Sequence, residues 1–425
     1  MSKTVVIVDG VRTPYVKSGA DFNDVSVVDL GVTVAKETLA RTNLDPSLLD
    51  EIIFGNIGQP ADAANVTRVV ALRAGIPQKV PAFTVQRNCA SGMQSIASAY
   101  DSIQAGQGEL YLCGGIESMS NIPLLFPKTF SNFLAKLSRA KTPLQKIGVF
   151  SQFRLNFLKP IIALVQGLRD PVCGLNMGQT AEVLAREFKI TREEQDQFAL
   201  LSHEKTTQAQ EKGLFKDEIV PLFLENKAVS QDVGPRKNQT LEALAKLKPF
   251  FDRKHGTVTP GNSCPITDGG AALLVTTEEK AQELGLKPKA RMVQYAFAGL
   301  DPARMGLGPS YATSVLLKKT NLKMEDIDLV EMNEAFAAQV LANLKIFESR
   351  KLQEEKGIEY PLSKIDSNIL NVNGGAIALG HPVGSSGTRL VLTLMNEMQR
   401  RNTKRGLATL CVGGGQGAAI LLENV

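Results

Sequence analysis

The stretch TNLDPSLLDEIIFGN, residues 42–56, returns as TNLKMEDIDLVEMNE, residues 320–334. Within the first copy, Glu51-Ile52-Ile53-Phe54-Gly55 reads as a short strand ended by a turn signal. A second echo follows in the same order: SGMQSI…LCGGIES from Ser91 and SGTRLV…CVGGGQG from Ser386. One such match could be chance. Two in the same order favour duplication, with similar halves at roughly 1–121 and 286–425 and an insertion between them.

Outward from these echoes, Val5-Val6-Ile7-Val8 and Leu110-Tyr111-Leu112-Cys113 read as buried strands. Asp29 to Leu39 places its apolar residues at helical spacing. Strands alternating with helices predict an α/β architecture. The 425 residues are 43% hydrophobic, enough for sizeable cores, which excludes a disordered or collagen-like chain. A net charge of +5 is too mild to imply nucleic acid as a partner. Cys89, Cys113, Cys173, Cys264 and Cys411 form no CxxC pair and have irregular spacing, against a disulfide framework or a metal site. Near the N-terminus the apolar run Val5–Val8 is too short for an export signal, and no 18-residue apolar stretch occurs, so the expected location is the cytoplasm.

The insertion opens with a peculiarity. Between Asn121 and Arg169 there are eight Lys or Arg residues and no acid, with Phe126, Phe130, Phe133, Phe150, Phe153 and Phe157 among them. Basic and apolar residues at helical spacing describe a surface for an anionic partner, either a lipid face or an acidic protein. The alternative is a helical lid whose phenylalanines enter the core. Further on, Thr191 to Gly213 reads as a polar helix pair, begun by a Thr191/Glu194 capping box.

Four places carry candidate chemistry. Pro81 to Gln86 reads as a strand and Gly92 to Ala97 as the start of a helix, which puts Cys89 at the helix N-terminus. Unpaired N–H groups there lower a thiol pKa. Ala90, Ser91 and Gly92 leave room for a substrate. Read alone, Cys89 is more readily a buried structural cysteine. His381, one of three histidines, sits in the glycine-rich NGGAIALGHPVGSSG, residues 373–387. Cys411 ends the strand Leu407–Leu410 before a glycine turn, and Asn333 lies in EMNEAFAAQ before a helix. Each has a bland alternative: a satisfied loop histidine, a small core residue, a helix cap.

Together, NCASG, NEAFA, NGGAIALGHPVGSSG and CVGGGQGAA, in that order, resemble the thiolases. RTP at Arg12, MGQTAE at Met177 and GTVTPGNS…TDGGAAL from Gly256 stand in family position, so the resemblance spans essentially the whole chain. It implies a duplicated, five-layered αβαβα fold with an inserted, mainly helical loop domain. The expected division is 1–121 with about 246–285 as one half, 122–245 as the insert, and 286–425 as the other half. It also implies roles. Cys89 carries the acyl group, and His381 takes its proton and then polarises a thioester oxygen. Cys411 is the second acid/base, and Asn333 holds a water in one oxyanion hole. The N–H groups of Cys89 and Gly413 form the other.

Asn176, Met177 and Cys264 stand where the family lines its CoA site; the first and last depart from the usual histidine and serine. No cofactor is implied, coenzyme A being a substrate. The basic stretch resembles that of the thiolase subunit of the fatty-acid β-oxidation multienzyme complex, although that branch tends to carry His where this chain has Asn333. Expected partners are acyl-CoA and CoA, a second copy (a homodimer or dimer of dimers), and, through 122–169, a multifunctional alpha subunit or a membrane surface. Three functions compete: degradative 3-ketoacyl-CoA thiolase, condensing acetoacetyl-CoA thiolase, and a non-catalytic acyl-CoA or lipid-binding protein on the same scaffold.

Overall fold

The computed structural model describes residues 3–425. In the first half, strand β1 (Val5–Arg12) is followed by α1 (Val27–Thr42), β2 (Glu51–Gly55), α2 (Val66–Arg73), β3 (Ala82–Val85), α3 (Ser91–Gln104) and β4 (Leu110–Glu117). After the basic stretch come α4 (Met177–Glu187), α5 (Arg192–Glu211) and β5 (Thr267–Thr277). The second half holds β6 (Ala290–Gly299), α6 (Gly308–Thr320), β7 (Leu329–Met332), α7 (Ala337–Glu348), α8 (Val383–Arg401), β8 (Arg405–Val412) and β9 (Gln416–Asn424).

The repeated Thr-Asn is a helix stop in both halves. Asn43 and Asn321 each adopt the left-handed conformation that ends a helix, with φ of 48° and 53°. A short 3₁₀ turn and a strand follow each time.

The strands line up in the order β7-β8-β9-β6-β1-β5-β4-β2-β3, with the two-residue strand Val16–Lys17 added on β5. The duplication is visible in this order. β2 and β4 pair in parallel, then β5 and β1 join antiparallel. β7 and β8 pair in parallel, then β9 and β6 join antiparallel. β1 and β6 pair with each other through Val6↔Arg291 and Ile7↔Ala290. The second half's counterpart of β3 has shrunk to one parallel bridge, Val330↔Leu370.

Side-chain alternation divides the apolar residues into layers. Met93 and Ile96 of α3 and Leu390, Leu394 and Met398 of α8 share one core with Tyr111, Leu273, Ala408 and Ile420 from both sets of strands. The opposite face of the first set packs on α1 and α2 through Val34, Leu39, Val70, Ile52 and Leu112. That of the second set packs on α6 and α7 through Leu316, Val340, Leu407 and Leu421. Helices, strands, α3 with α8, strands, helices: this is the expected five-layered αβαβα order. A Cβ on Gly92 would lie 2.6 Å from the Thr388 nitrogen, and one on Gly115 would lie 2.0 Å from the Gly384 oxygen. Only glycine permits this approach, and it brings the N-termini of α3 and α8 together.

Ile122–Arg169 forms a compact unit of its own, and Asp170–Val425 clusters with Met1–Asn121. The small unit contains helices Lys128–Arg139 and Pro143–Phe150 and a two-stranded pairing of Leu124–Leu125 with Ile161–Ile162. Its phenylalanines pack on one another: Phe133 is 6% exposed, with the rings of Phe130, Phe150, Phe153 and Phe157 around it. Leu144, Ile147, Leu155 and Val165 remain exposed. The segment expected as a polar helix pair is the single 20-residue α5, capped by Thr191, because no glycine or proline interrupts it.

Candidate active site

Cys89 sits in the tight connection between β3 and α3, one residue before the helix N-cap Ala90. The backbone N–H groups of Gly413 and of Cys89 itself lie near enough to its sulfur to favour the thiolate. The sequence predicts a lowered thiol pKa, but the structure reverses the direction. Burial pushes the Cys89 thiol up, and the two N–H groups only partly offset it. Near neutral pH the Cys89 side chain is therefore a protonated thiol, and a base would have to take its proton for the sulfur to attack.

His381 can be that base. It lies between Gly380, whose φ is 105°, and Pro382, the N-cap of α8. Burial, helped by the Arg389 cation, depresses its pKa to about 4, so near neutral pH the imidazole is uncharged. Nδ1 lies 2.6 Å from Ser386 Oγ, and that hydroxyl lies 3.1 Å from the Pro382 carbonyl. A hydroxyl donating to the carbonyl accepts from Nδ1–H, which leaves the lone pair on Nε2. Nε2 is buried and has no hydrogen-bond partner.

Asn333 follows β7 and is fully buried, its N–H bonded to the Thr409 carbonyl at 2.9 Å. Both of its amide atoms, Oδ1 and Nδ2, also lack partners. Orphaned buried polar groups are costly unless they serve a ligand or water. Asn333 is not a helix cap, since α7 begins at Ala337 with Phe336 as its N-cap. Glu334 fixes this loop: it accepts from Ser202 Oγ at 2.6 Å, Asn371 Nδ2 at 2.8 Å and the Ile377 N–H at 3.2 Å.

Cys411 lies near the end of β8, with 1% exposure. Its side chain joins Met177, Phe251, Cys264 and Phe336 rather than the central helices. Burial, then the proximity of Cys89 and Cys264, drives its thiol well above the ordinary range, so it rests as an acid. Cys264 is tied to two of the other segments: its N–H bonds the Ala335 carbonyl at 3.0 Å, and the next residue, Pro265, accepts from the His381 N–H at 3.2 Å. Burial pushes the Cys264 thiol up to about 12.

The strands and helices thus bring Cys89, Cys264, Cys411 and Gly413 into one neighbourhood, with His381 and Asn333 on adjoining loops. Met177, at the first turn of α4, leans on the same place; its sulfur would lie 3.1 Å from a Cβ on Gly413. Asn176 is committed locally, its Oδ1 capping α4 through the Gln179 N–H at 2.9 Å. All five cysteines are free, and no His/Cys/Asp/Glu cluster among the described residues could hold a metal.

Sequence reading missed two supports. Ser386, within the glycine-rich segment, carries no local pattern that marks it as a partner of His381. Glu117 was seen only as the end of an echo. Fully buried, it accepts from Asn56 Nδ2, the Ile57 and Gly58 N–H groups and the Gly384 N–H, joining the first half to the start of α8. Burial outweighs those donors and raises its pKa to about 7. A buried acid after two glycines on a strand was the available signal.

Comparison with known proteins agrees in both halves. Residues 5–279 match the thiolase N-terminal domain and residues 286–424 the thiolase C-terminal domain. The 3-ketoacyl-CoA thiolase of Yersinia enterocolitica is 40% identical over 423 residues, 99% of this chain and 96% of that protein. Among solved structures, the Bacillus anthracis acetyl-CoA acetyltransferase superposes with a TM-score of 0.86 at 40% identity, covering 100% of this chain and 99% of the other. The human mitochondrial 3-ketoacyl-CoA thiolase in complex with CoA gives 0.86 at 36% identity, covering 100% and 98%.

Proposed function

This chain belongs to the thiolase family, and from that premise we propose that it cleaves 3-ketoacyl-CoA with CoA, through an acyl group carried on Cys89, to give acetyl-CoA and a shortened acyl-CoA. It is an acyltransferase of fatty-acid degradation, with coenzyme A as a substrate. The observation that carries the mechanism is the grouping of half-buried Cys89 with buried Cys411, beside loops that bring a buried imidazole with an unpartnered Nε2 and an asparagine with both amide atoms unpartnered.

His381 Nε2 takes the Cys89 proton as the sulfur attacks the keto carbon. The bond between the α and keto carbons breaks, leaving the acyl group on Cys89 and an acetyl-CoA enolate. The protonated His381 and a water on Asn333 stabilise the enolate oxygen. Cys411 gives its proton to the enolate carbon. The Cys411 thiolate then takes the proton from incoming CoA, whose sulfur attacks the acyl-Cys89 carbonyl. The N–H groups of Cys89 and Gly413 hold the oxyanion; such fixed donors can each be worth roughly 3–4 kcal/mol. Cys89 leaves and recovers its proton from His381, which gives ping-pong kinetics. Asn176, Met177 and Cys264 line the approach for the CoA arm.

A second reading, condensation of two acetyl-CoA molecules, draws on the likeness to the Bacillus anthracis acetyl-CoA acetyltransferase. Thiolysis of acetoacetyl-CoA and of a long-chain 3-ketoacyl-CoA, assayed side by side, separates them. The degradative reading expects the higher kcat/KM on the long chain, and confinement of turnover to the four-carbon substrate contradicts it.

Residues 1–121 with about 246–285, and residues 286–425, form the two thiolase halves of this proposal, and the working unit is a homodimer or a dimer of dimers in the cytoplasm. The Ile122–Arg169 unit docks on an anionic lipid surface: its eight basic residues and no acid, together with exposed Leu144, Ile147 and Leu155, support this. No helix among the described residues is long and apolar enough to cross a membrane, so contact there is peripheral. Sedimentation with phosphatidylserine vesicles, lost on reversing Lys136, Lys141 and Lys146 to Glu, is expected. Unchanged sedimentation of that variant contradicts it, and binding only to an alpha subunit would move the surface to a protein partner.

A further inference from the structure

The turn that supplies the Gly413 donor is built from three consecutive glycines. Gly414 and Gly415 have φ of 88° and 77°, and the tip, Gly414, is exposed. Such a turn has little intrinsic preference for one conformation. Yet an oxyanion donor must be fixed before the charge develops, because reorganising it during the reaction costs rate. The far end of the turn is held, since the Leu300 N–H bonds the Gly415 carbonyl at 2.8 Å. Something must hold the near end.

Asn88 does so. Its Nδ2 donates to the Gly413 carbonyl at 2.7 Å. The residue has a φ of 42°, in the left-handed region that asparagine tolerates better than most side chains. Its own carbonyl accepts from the Ser91 N–H at 3.0 Å and from Ser91 Oγ at 2.7 Å. Ser91 Oγ in turn accepts from the Arg87 N–H at 2.8 Å. The peptide plane fixed in this way contains the Cys89 N–H, the other donor of the same hole. One residue therefore indexes both donors: it is covalently joined to the first and hydrogen-bonded to the residue that bears the second.

We propose that Asn88 is a positioning residue that sets the spacing of the Cys89 and Gly413 N–H groups by tethering the Gly413 carbonyl. This rests on the reading of those two N–H groups as the oxyanion hole. The hole acts on the acyl-Cys89 carbonyl rather than on the CoA arm, so the effect belongs in kcat.

The test uses Asn88→Gly, which keeps the left-handed backbone and removes the tether, and Asn88→Asp, which keeps the shape and removes the donor. Both are assayed for thiolysis beside Cys89→Ala, with KM, kcat and Tm measured on each. The expected result is a kcat lower by roughly ten- to a hundred-fold in both Asn88 variants, less than the 10²–10³ typical of losing an oxyanion donor outright. KM stays within about two-fold and Tm is unchanged. Wild-type kcat in Asn88→Gly, or an effect confined to KM, overturns the proposal. Should Asn88→Asp fail to fold, Asn88→Gly alone decides. Cys89→Ala separates the two levels: if it is inactive while Asn88→Gly is normal, only the tether is wrong, and if it still turns over, the underlying site is wrong.

Discussion

Cys113 and Cys411 occupy similar places in the two echoed segments, each after a leucine near the end of a central strand and before glycines. They face opposite ways. Cys113 points with Tyr111 into the core around α3 and α8, where burial holds its thiol far above the ordinary range. On β8 it is Ala408, Leu410 and Val412 that face that core, so Cys411 looks the other way, toward Met177, Cys264 and Phe336. Laid letter on letter, LCGGIES and CVGGGQG set Cys411 opposite Leu112 and Val412 opposite Cys113, so matching cysteine to cysteine slips the register by one residue, and in a strand such a slip moves a side chain to the other face. The strands differ in their endings too. β4 runs on through Gly114 and Gly115 to Glu117, whereas β8 stops and turns over Gly413 to Gly415. One duplicated strand thus became a packed wall with a buried acid at its end, and the other carries the buried thiol and the glycine turn to which the proposal assigns an acid/base and an oxyanion donor.

The starts of α3 and α8 diverge in the same manner. One follows Cys89 and the other follows His381, and Gly92, Gly115 and Gly384 allow the two to meet. Replacing Cys89 with alanine tests this division most severely. Thiolysis should fall on the order of 10⁴-fold or more, since nothing else carries the acyl group. Retained turnover would move the nucleophile elsewhere.

Cys411→Ala comes next. It should lower kcat about 10²–10⁴-fold and slow exchange of the α-proton of acetyl-CoA with solvent, as expected for loss of a general acid. Normal exchange would make Cys411 as inert as its counterpart.

Ser386→Ala removes the partner of Nδ1 and should cost about tenfold in kcat, in the lower range of such supporting contacts. The pH profile sharpens this. Because His381 is held near 4, below the ordinary 6.5, the acid limb of kcat/KM should lie well under pH 6.5. A limb at or above 6.5 would contradict the buried, uncharged imidazole. Stability follows the same sign. The unfolded chain gains a proton below 6.5 that folded His381 refuses until about 4, so stability is present above 6.5 and falls through that window as pH drops.

The smallest effect belongs to Cys113→Ala. Stability should fall by about 1 kcal/mol while kcat stays unchanged, which a denaturation curve and an assay would show. A change in kcat would mean that the two strand cysteines are not as different as their faces imply.

Much of this was legible in the sequence. Thr42-Asn43 and Thr320-Asn321 were legible as the start of a repeated stretch; that both asparagines end a helix in the left-handed conformation is visible only in the structure. Cys89, His381, Cys411 and Asn333 stood out as a set, through the resemblance of the four segments that hold them to the thiolases, since each alone had a bland reading. What was hidden depended on registration in three dimensions. The facing of Cys113 needed the pairing Ile53↔Cys113, and the direction of the Cys89 pKa needed its burial. Asn88 and Ser386 act through contacts to Gly413 and His381 that no local pattern announces.

The most direct measurement is to incubate the protein with an acyl-CoA, quench in acid, and locate the acyl group by peptide mass spectrometry. The account predicts one acyl group per chain, on the peptide containing Cys89, removed by added CoA. A label on Cys411, Cys264 or Cys113 instead, or none, would contradict it.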